Sequence, residues 1–158
     1  MYSIGDMIAH PLHGAGIIDS IESREINGCE RQYYVLKMPA GGMVVMIPTE
    51  MSELIGVRPI IGSDEAESLM DAIPDIDIEM TSNWSRRYRE NMERLKSGNL
   101  LEVARVVKSL MARDVARGLS TGDRKMLVSA KQILISEMVL SQHKSYEEVE
   151  IRINKAMA

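Results

Sequence analysis

Apolar residues change rhythm once along this chain. Up to about residue 60 they come in short runs, IGDMIAHP, GAGIIDSIESREI, RQYYVLKM and MVVMIP, rich in isoleucine, valine and tyrosine. Turn formers separate the runs at HPLHGAG, NGCE and PAGG. Four or five short strands so spaced predict a small, strongly bent antiparallel barrel, with Gly14, Gly16, Gly41 and Gly42 allowing its tight corners. Pro48 and Pro59 mark the exit from these strands. Ser63, followed by Asp64, Glu65 and Glu67, reads as the cap and first turns of a short helix that ends before Pro74.

From residue 83 the apolar positions recur at intervals of three and four. Ser82 or Asn83 can cap a helix through WSRRYRENMERLKSG that stops at Gly98, and Asn99 can cap the next, which ends at Gly118. In that second helix Leu100, Val103, Ala104, Val107, Leu110 and Met111 form the core stripe. Ser120 or Thr121 opens a third helix, with Met126, Ile133, Leu134, Met138 and Val139 on its apolar face, and Ser145 opens a short fourth. The expected fold is therefore α+β. Residues 1–73 would be the barrel with a connecting helix, 74–82 a linker, and 83–158 an all-α bundle of about four helices.

Charge follows the same division. Residues 1–80 carry four basic side chains against fourteen acidic ones, and residues 81–158 carry fifteen against nine, so a net −4 conceals −10 and +6. Halves so different suggest different partners, with the basic half suited to phosphates. No run of roughly eighteen apolar residues suggests a membrane span. The opening MYSIGDMIAHP lacks a basic stretch followed by an apolar one, so no signal peptide is expected. With one cysteine, Cys29, the chain reads as a cytoplasmic protein without an intramolecular disulfide or a multi-cysteine metal site.

Catalytic constellations are not found. His10 and His13 flank a Pro–Leu turn and read as turn residues bonded to backbone, with no third ligand at metal spacing. No nucleophile elbow, P-loop or dinucleotide fingerprint occurs, so an enzyme is not expected and no cofactor is implied. Tyr33 and Tyr34 read as strand neighbours, one facing in and one out. The thirteen methionines read as adaptable core filler.

The stretch TSNWSRRYRE is different, because the chain's only tryptophan stands beside Arg86, Arg87 and Arg89. Trp84 could bury its ring in the helical core. It could instead stack on an exposed base or wedge at a base step, with arginines on the phosphates and the helix N-terminus adding N–H donors. Arg124 and Lys125, with Lys131 about two turns on, offer a second contact or merely a solvated helix face.

NWSRRYRENMERLKSGN and RGLSTGDRKMLVSAKQIL, with GDMIAHPLHGAGIIDSIE and REINGCERQYYVLKM, resemble the CarD family of bacterial transcription regulators, from about residue 3 to about residue 142. The glycine–aspartate opening is shared with the polymerase-interaction module of transcription-repair coupling factors, whereas the two helical motifs are more specific. The resemblance implies a Tudor-like domain that binds the β subunit of RNA polymerase and a helical domain on promoter DNA at the upstream edge of the melted bubble. Trp84 matches the family's wedge, Arg86 and Arg89 match its backbone contacts, and Arg24 matches an arginine used against polymerase. Met46, with Ile47 beside it, stands where the family has a second such arginine, so polymerase contact is expected to be more apolar here, or weaker. The expected protein is a monomer bridging polymerase and promoter. The rival reading is a DNA-independent interaction module with Trp84 as a docking anchor, and a nonspecific DNA-coating protein fits the net negative charge poorly.

Overall fold

A computed structural model describes residues 1–78 and 83–158. Five strands, β1 (Met7–His10), β2 (Gly14–Ile26), β3 (Cys29–Lys37), β4 (Val44–Pro48) and β5 (Arg58–Pro59), form one antiparallel sheet in the order β4-β3-β2-β1-β5. The four long runs are strands, as their composition predicts. The fifth strand is the Arg58–Pro59 segment that the sequence suggests as an exit. Proline is tolerated there because β5 is an edge. Among the described residues β4 and β5 do not pair with each other, so the hydrogen-bond ladder stays open. Asn27 and Gly28, both with positive φ (53° and 78°), make the two-residue turn between β2 and β3.

Register then decides which side chains face inward. Ile18, Leu36 and Val45 stand opposite one another, as do Ile21, Tyr34 and Ile47, and these two rows face the sheet's own core. The alternate rows, Ser20–Val35–Met46 and Glu22–Tyr33–Pro48, lie on the outer face, followed by the Arg24–Arg31 pair. Tyr34 is fully buried and its hydroxyl accepts the Tyr2 N–H at 3.0 Å, while Tyr33 is half-buried on the other side. A 3-10 turn (Thr49–Met51) and α1 (Ser52–Ile55) join β4 to β5.

α2 (Ser63–Ala72) begins one residue after its cap, Gly62, so Ser63 is helical rather than the cap. Grouped with the strands on sequence, α2 packs Ala66 and Met70, with Ile73 beyond it, into the helical core. Its exit is held by Lys108, whose ammonium donates to the carbonyls of Ile73, Pro74 and Ile76 at 3.0, 2.8 and 2.9 Å. The remaining helices are α3 (Trp84–Lys96), α4 (Leu100–Arg117), α5 (Thr121–Gln142) and α6 (Tyr146–Met157). Asn83, Asn99, Ser120 and Ser145 cap them with side-chain oxygens, each accepting a first-turn N–H. Ser82, the alternative cap for α3, lies outside the described residues. The expected stripe of α4 is buried, Val106 joins it, and Met111 is half-buried.

The two halves meet where α5 crosses the start of β2. Gly14 makes the crossing possible, since a Cβ there would lie 2.5 Å from Ser136 Oγ and 3.2 Å from the Ile133 backbone. Ser136 Oγ accepts the Ala15 N–H at 2.9 Å. At the next residue of α5, Arg58 grips Glu137 with both terminal nitrogens at 2.7 and 2.9 Å, and the Ile61 N–H adds a third bond to that carboxylate at 2.9 Å. Glu137 is 1% exposed. Leu140, Ala9 and Ala15 fill the remaining space.

Removing one member of a buried, hydrogen-bonded ion pair strands its partner and costs about 3–5 kcal/mol. Arg58 keeps some access to water, so Glu137→Ala should lie at the low end, lowering stability by about 3 kcal/mol in a urea titration, with Glu137→Gln intermediate. A change within roughly 0.5 kcal/mol, as expected for surface sites, would mean that the pair does not hold the halves together.

At the β1–β2 turn, His10 Nδ1 accepts the Leu12 N–H at 3.0 Å and its ring lies 4.5 Å from that of His13. Burial, and secondarily His13, push the His10 pKa down from 6.5 to about 4. The native state therefore binds fewer protons than the unfolded chain between those values. Stability from this group is present above pH 6.5 and lost as pH falls toward 4. His10→Asn keeps an acceptor but cannot titrate, so denaturation midpoints from pH 7 to 4.5 should fall less steeply for it than for the unsubstituted protein.

Candidate nucleic-acid interface

Trp84 is the first residue of α3 and Ser120 caps α5, so the N-termini of two helices meet at this tryptophan. Three contacts hold the indole. Its ring stacks on Tyr88, four residues on, with centroids 5.2 Å apart and planes 26° from parallel. Its Nε1–H donates to Ser120 Oγ at 3.3 Å, the same oxygen that accepts the Asp123 N–H at 3.2 Å. Its six-membered ring lies over Gly122, where a Cβ would stand 3.4 Å away. Held in this way, Trp84 remains 46% exposed. It is neither a core residue nor a free one.

Arg86 and Arg89 are exposed on the same first turns of α3, and Arg86 Nε binds Glu90 at 3.0 Å. Arg124 and Lys125 are exposed in the first turn of α5, directly after the residues that touch the indole. Partial positive charge from both helix N-termini adds to these cations. Lys131 is not part of this cluster. It is half-buried, and nine residues beyond Gly122 amount to about 14 Å along α5.

Arg87 is also elsewhere. It is 5% exposed, and its guanidinium meets the buried Asp123 carboxylate at 3.4 Å. Arg87, Asn91 and Leu95 are the buried residues of α3, so a charged group occupies a position that an apolar one usually fills. Of the arginines at 86, 87 and 89, the middle one fastens α3 to α5 and the outer two are exposed. Sequence reading passed over Tyr88, Ser120 and Gly122 as supports. The spacing of Trp84 and Tyr88 could have revealed that stack, whereas the contact from residue 84 to residue 120 has no local signal.

The second group of site residues lies on the sheet. Arg24 and Met46 share its outer face, and Arg24 pairs with Glu22 at 3.0 Å. Ile47 faces the opposite way and is buried beside Tyr34, because neighbours in a strand alternate sides. Its side chain is therefore not on the face that Arg24 and Met46 share.

Comparison with known proteins matches each half separately. The description "CarD-like/TRCF RID domain" covers residues 2–61, and "CarD, C-terminal domain" covers residues 68–154. The chain belongs to the CarD family. A relative from Bacillus subtilis (strain 168), named "Putative transcription factor YdeB", is 36% identical over 138 residues, spanning 87% of this chain and 90% of that protein. For this CarD-family protein, these matches point to transcription regulation rather than to an enzyme. Among the described residues no three His, Cys, Asp or Glu side chains are placed to hold a metal, and no helix is long and apolar enough to cross a membrane.

Tyr88 and Ser120 should restrain the indole measurably. Trp84 is the sole tryptophan, so its fluorescence reports on this site alone. Acrylamide should quench it readily in the unsubstituted protein. Tyr88→Ala and Ser120→Ala should each lower its anisotropy and raise quenching. Unchanged anisotropy in both would mean that neither side chain holds the ring.

Proposed function

We propose that this CarD-family protein is an RNA polymerase-binding transcription regulator that contacts promoter DNA at the upstream edge of the bubble and stabilises the open complex. The observation that carries the reading is Trp84, held nearly half exposed at two helix N-termini with Arg86, Arg89, Arg124 and Lys125 around it. A flat ring among cations suits a distorted DNA junction. The arginines and lysine neutralise phosphates, while the indole enters a step that is already partly unstacked and so costs less to open. Arg87 supports α3 in this reading rather than touching DNA.

The outer face of the sheet is the proposed docking surface for the polymerase β subunit. Arg24 and Met46 lie on it, together with half-buried Tyr33 and Val35, and β4 has hydrogen-bonding groups on its free side. Docking there as a monomer raises the local concentration of promoter DNA at the helical half, so weak contact by one ring and a few cations suffices. A factor that binds open promoter more tightly than closed promoter shifts that equilibrium by the difference alone. No covalent step is involved.

Open-complex lifetime on a promoter fragment with purified polymerase tests the reading. The unsubstituted protein should lengthen it, and a roughly tenfold effect corresponds to about 1.4 kcal/mol of differential binding. Trp84→Ala should lose most of that effect while still binding polymerase. Equal lifetimes for the alanine variant would make the ring a docking or packing group and favour a DNA-independent module.

A further inference from the structure

The methionines of this protein are not all core filler. Met38, Met70, Met126, Met138 and Met157 are buried. Three others stand exposed on or beside edge strand β4: Met43 (44%), Met46 (37%) and Met51 (38%). Val44, between the first two, is also exposed, and Tyr33 and Val35 extend the apolar surface inward along β3. Met46 lies in the outer row with Val35 and Ser20, and Met43 Sδ accepts from Gln132 Nε2 at 3.5 Å. The thioethers in the core are shielded by packing, while these three residues are exposed along the β4 edge, Met46 on the outer face, Met43 toward α5 and Met51 in the turn that follows.

A thioether is apolar and polarisable, whereas its sulfoxide is a strong hydrogen-bond acceptor that resists burial. Hydrogen peroxide converts one to the other by oxygen transfer. The sulfur lone pair attacks one peroxide oxygen, the O–O bond breaks and an S–O bond forms. Sulfur loses two electrons, peroxide is reduced, and proton transfer releases water. We infer that Met43, Met46 and Met51 make the β4 edge an oxidation-sensitive docking surface, on which methionine sulfoxide formation weakens binding to polymerase and leaves the fold intact. The inference rests on the reading that this face docks polymerase. It adds a modification site and a control to that surface.

The test uses the full chain with Cys29→Ser, since Cys29 is exposed and would react with the same oxidant. One protein keeps its methionines and a second carries Met43→Leu, Met46→Leu and Met51→Leu. Each is treated with hydrogen peroxide, mapped by peptide mass spectrometry and titrated against purified RNA polymerase. Sulfoxide should appear at Met43, Met46 and Met51 before the buried methionines, with the urea midpoint unchanged. Affinity for polymerase should fall about tenfold or more on burying the new polar groups, and methionine sulfoxide reductases A and B should restore it. Each protein is compared with its own untreated affinity, and the leucine variant, whatever its starting affinity, should change little on treatment. Earlier oxidation of the core methionines, full binding by the oxidised protein, or equal loss in the leucine variant would each overturn the inference. Failure of the untreated protein to bind polymerase would instead overturn the docking reading, and the inference with it.

Discussion

Glu137 is a carboxylate on α5 with almost no access to water, and a charge in that position persists only if its surroundings replace the lost hydration. Arg58 and the Ile61 N–H supply three hydrogen bonds, from β5 and the residues that follow it toward α2. Arg58 also donates through Nε to the Gly98 carbonyl at 3.1 Å, at the turn between α3 and α4. One guanidinium thus ties β5, the α3–α4 turn and the C-terminal half of α5 together. Gly14 and Ser136 complete the junction by letting the strand backbone come against the helix. A chain whose halves differ so much in composition and charge becomes, through these contacts, one structure with α5 as its spine.

α5 explains why the junction matters for the proposed function. Its 22 residues span about 33 Å, with the indole support at one end and the sheet contact toward the other. The surfaces proposed to meet DNA and polymerase are held apart by a helix that both halves bury. A stiff, doubly packed helix fixes the distance between the two surfaces, which a loose linker would not. The second half of α5 shows this burial in its composition. Residues 133–138 are all buried, including Ser136 and Glu137, because helices cover one side and the sheet the other.

The arginines of α3 show that cationic sequence and cationic surface differ. Arg86 and Arg89 reach water, while Arg87 turns inward to Asp123 and secures the helix that presents the indole. A buried ion pair is a weak source of net stability but specifies geometry, because neither charge can move without losing the other. The same contrast holds on the sheet, where Met46 faces out and Ile47 faces in.

Much of the fold was legible because its signals are local. Asn83, Asn99, Ser120 and Ser145 cap their helices through bonds that reach only two or three residues, and Asn27–Gly28 turns a hairpin through its own dihedral angles. Apolar spacing likewise marked the buried faces of α4 and α5, since burial repeats with the helix itself. Residue type alone singled out the neighbourhood of Trp84, but not which of Arg86, Arg87 and Arg89 reach water. Tertiary structure decided the rest: the burial of Arg87, the support of Trp84 by Ser120, the membership of α2 in the helical core, and the grip of Arg58 on Glu137. Those partners lie 36 to 79 residues apart for the hydrogen-bonded pairs. No local preference selects one distant partner over another. Packing does, by bringing a charge to a place where only one counter-charge can satisfy it.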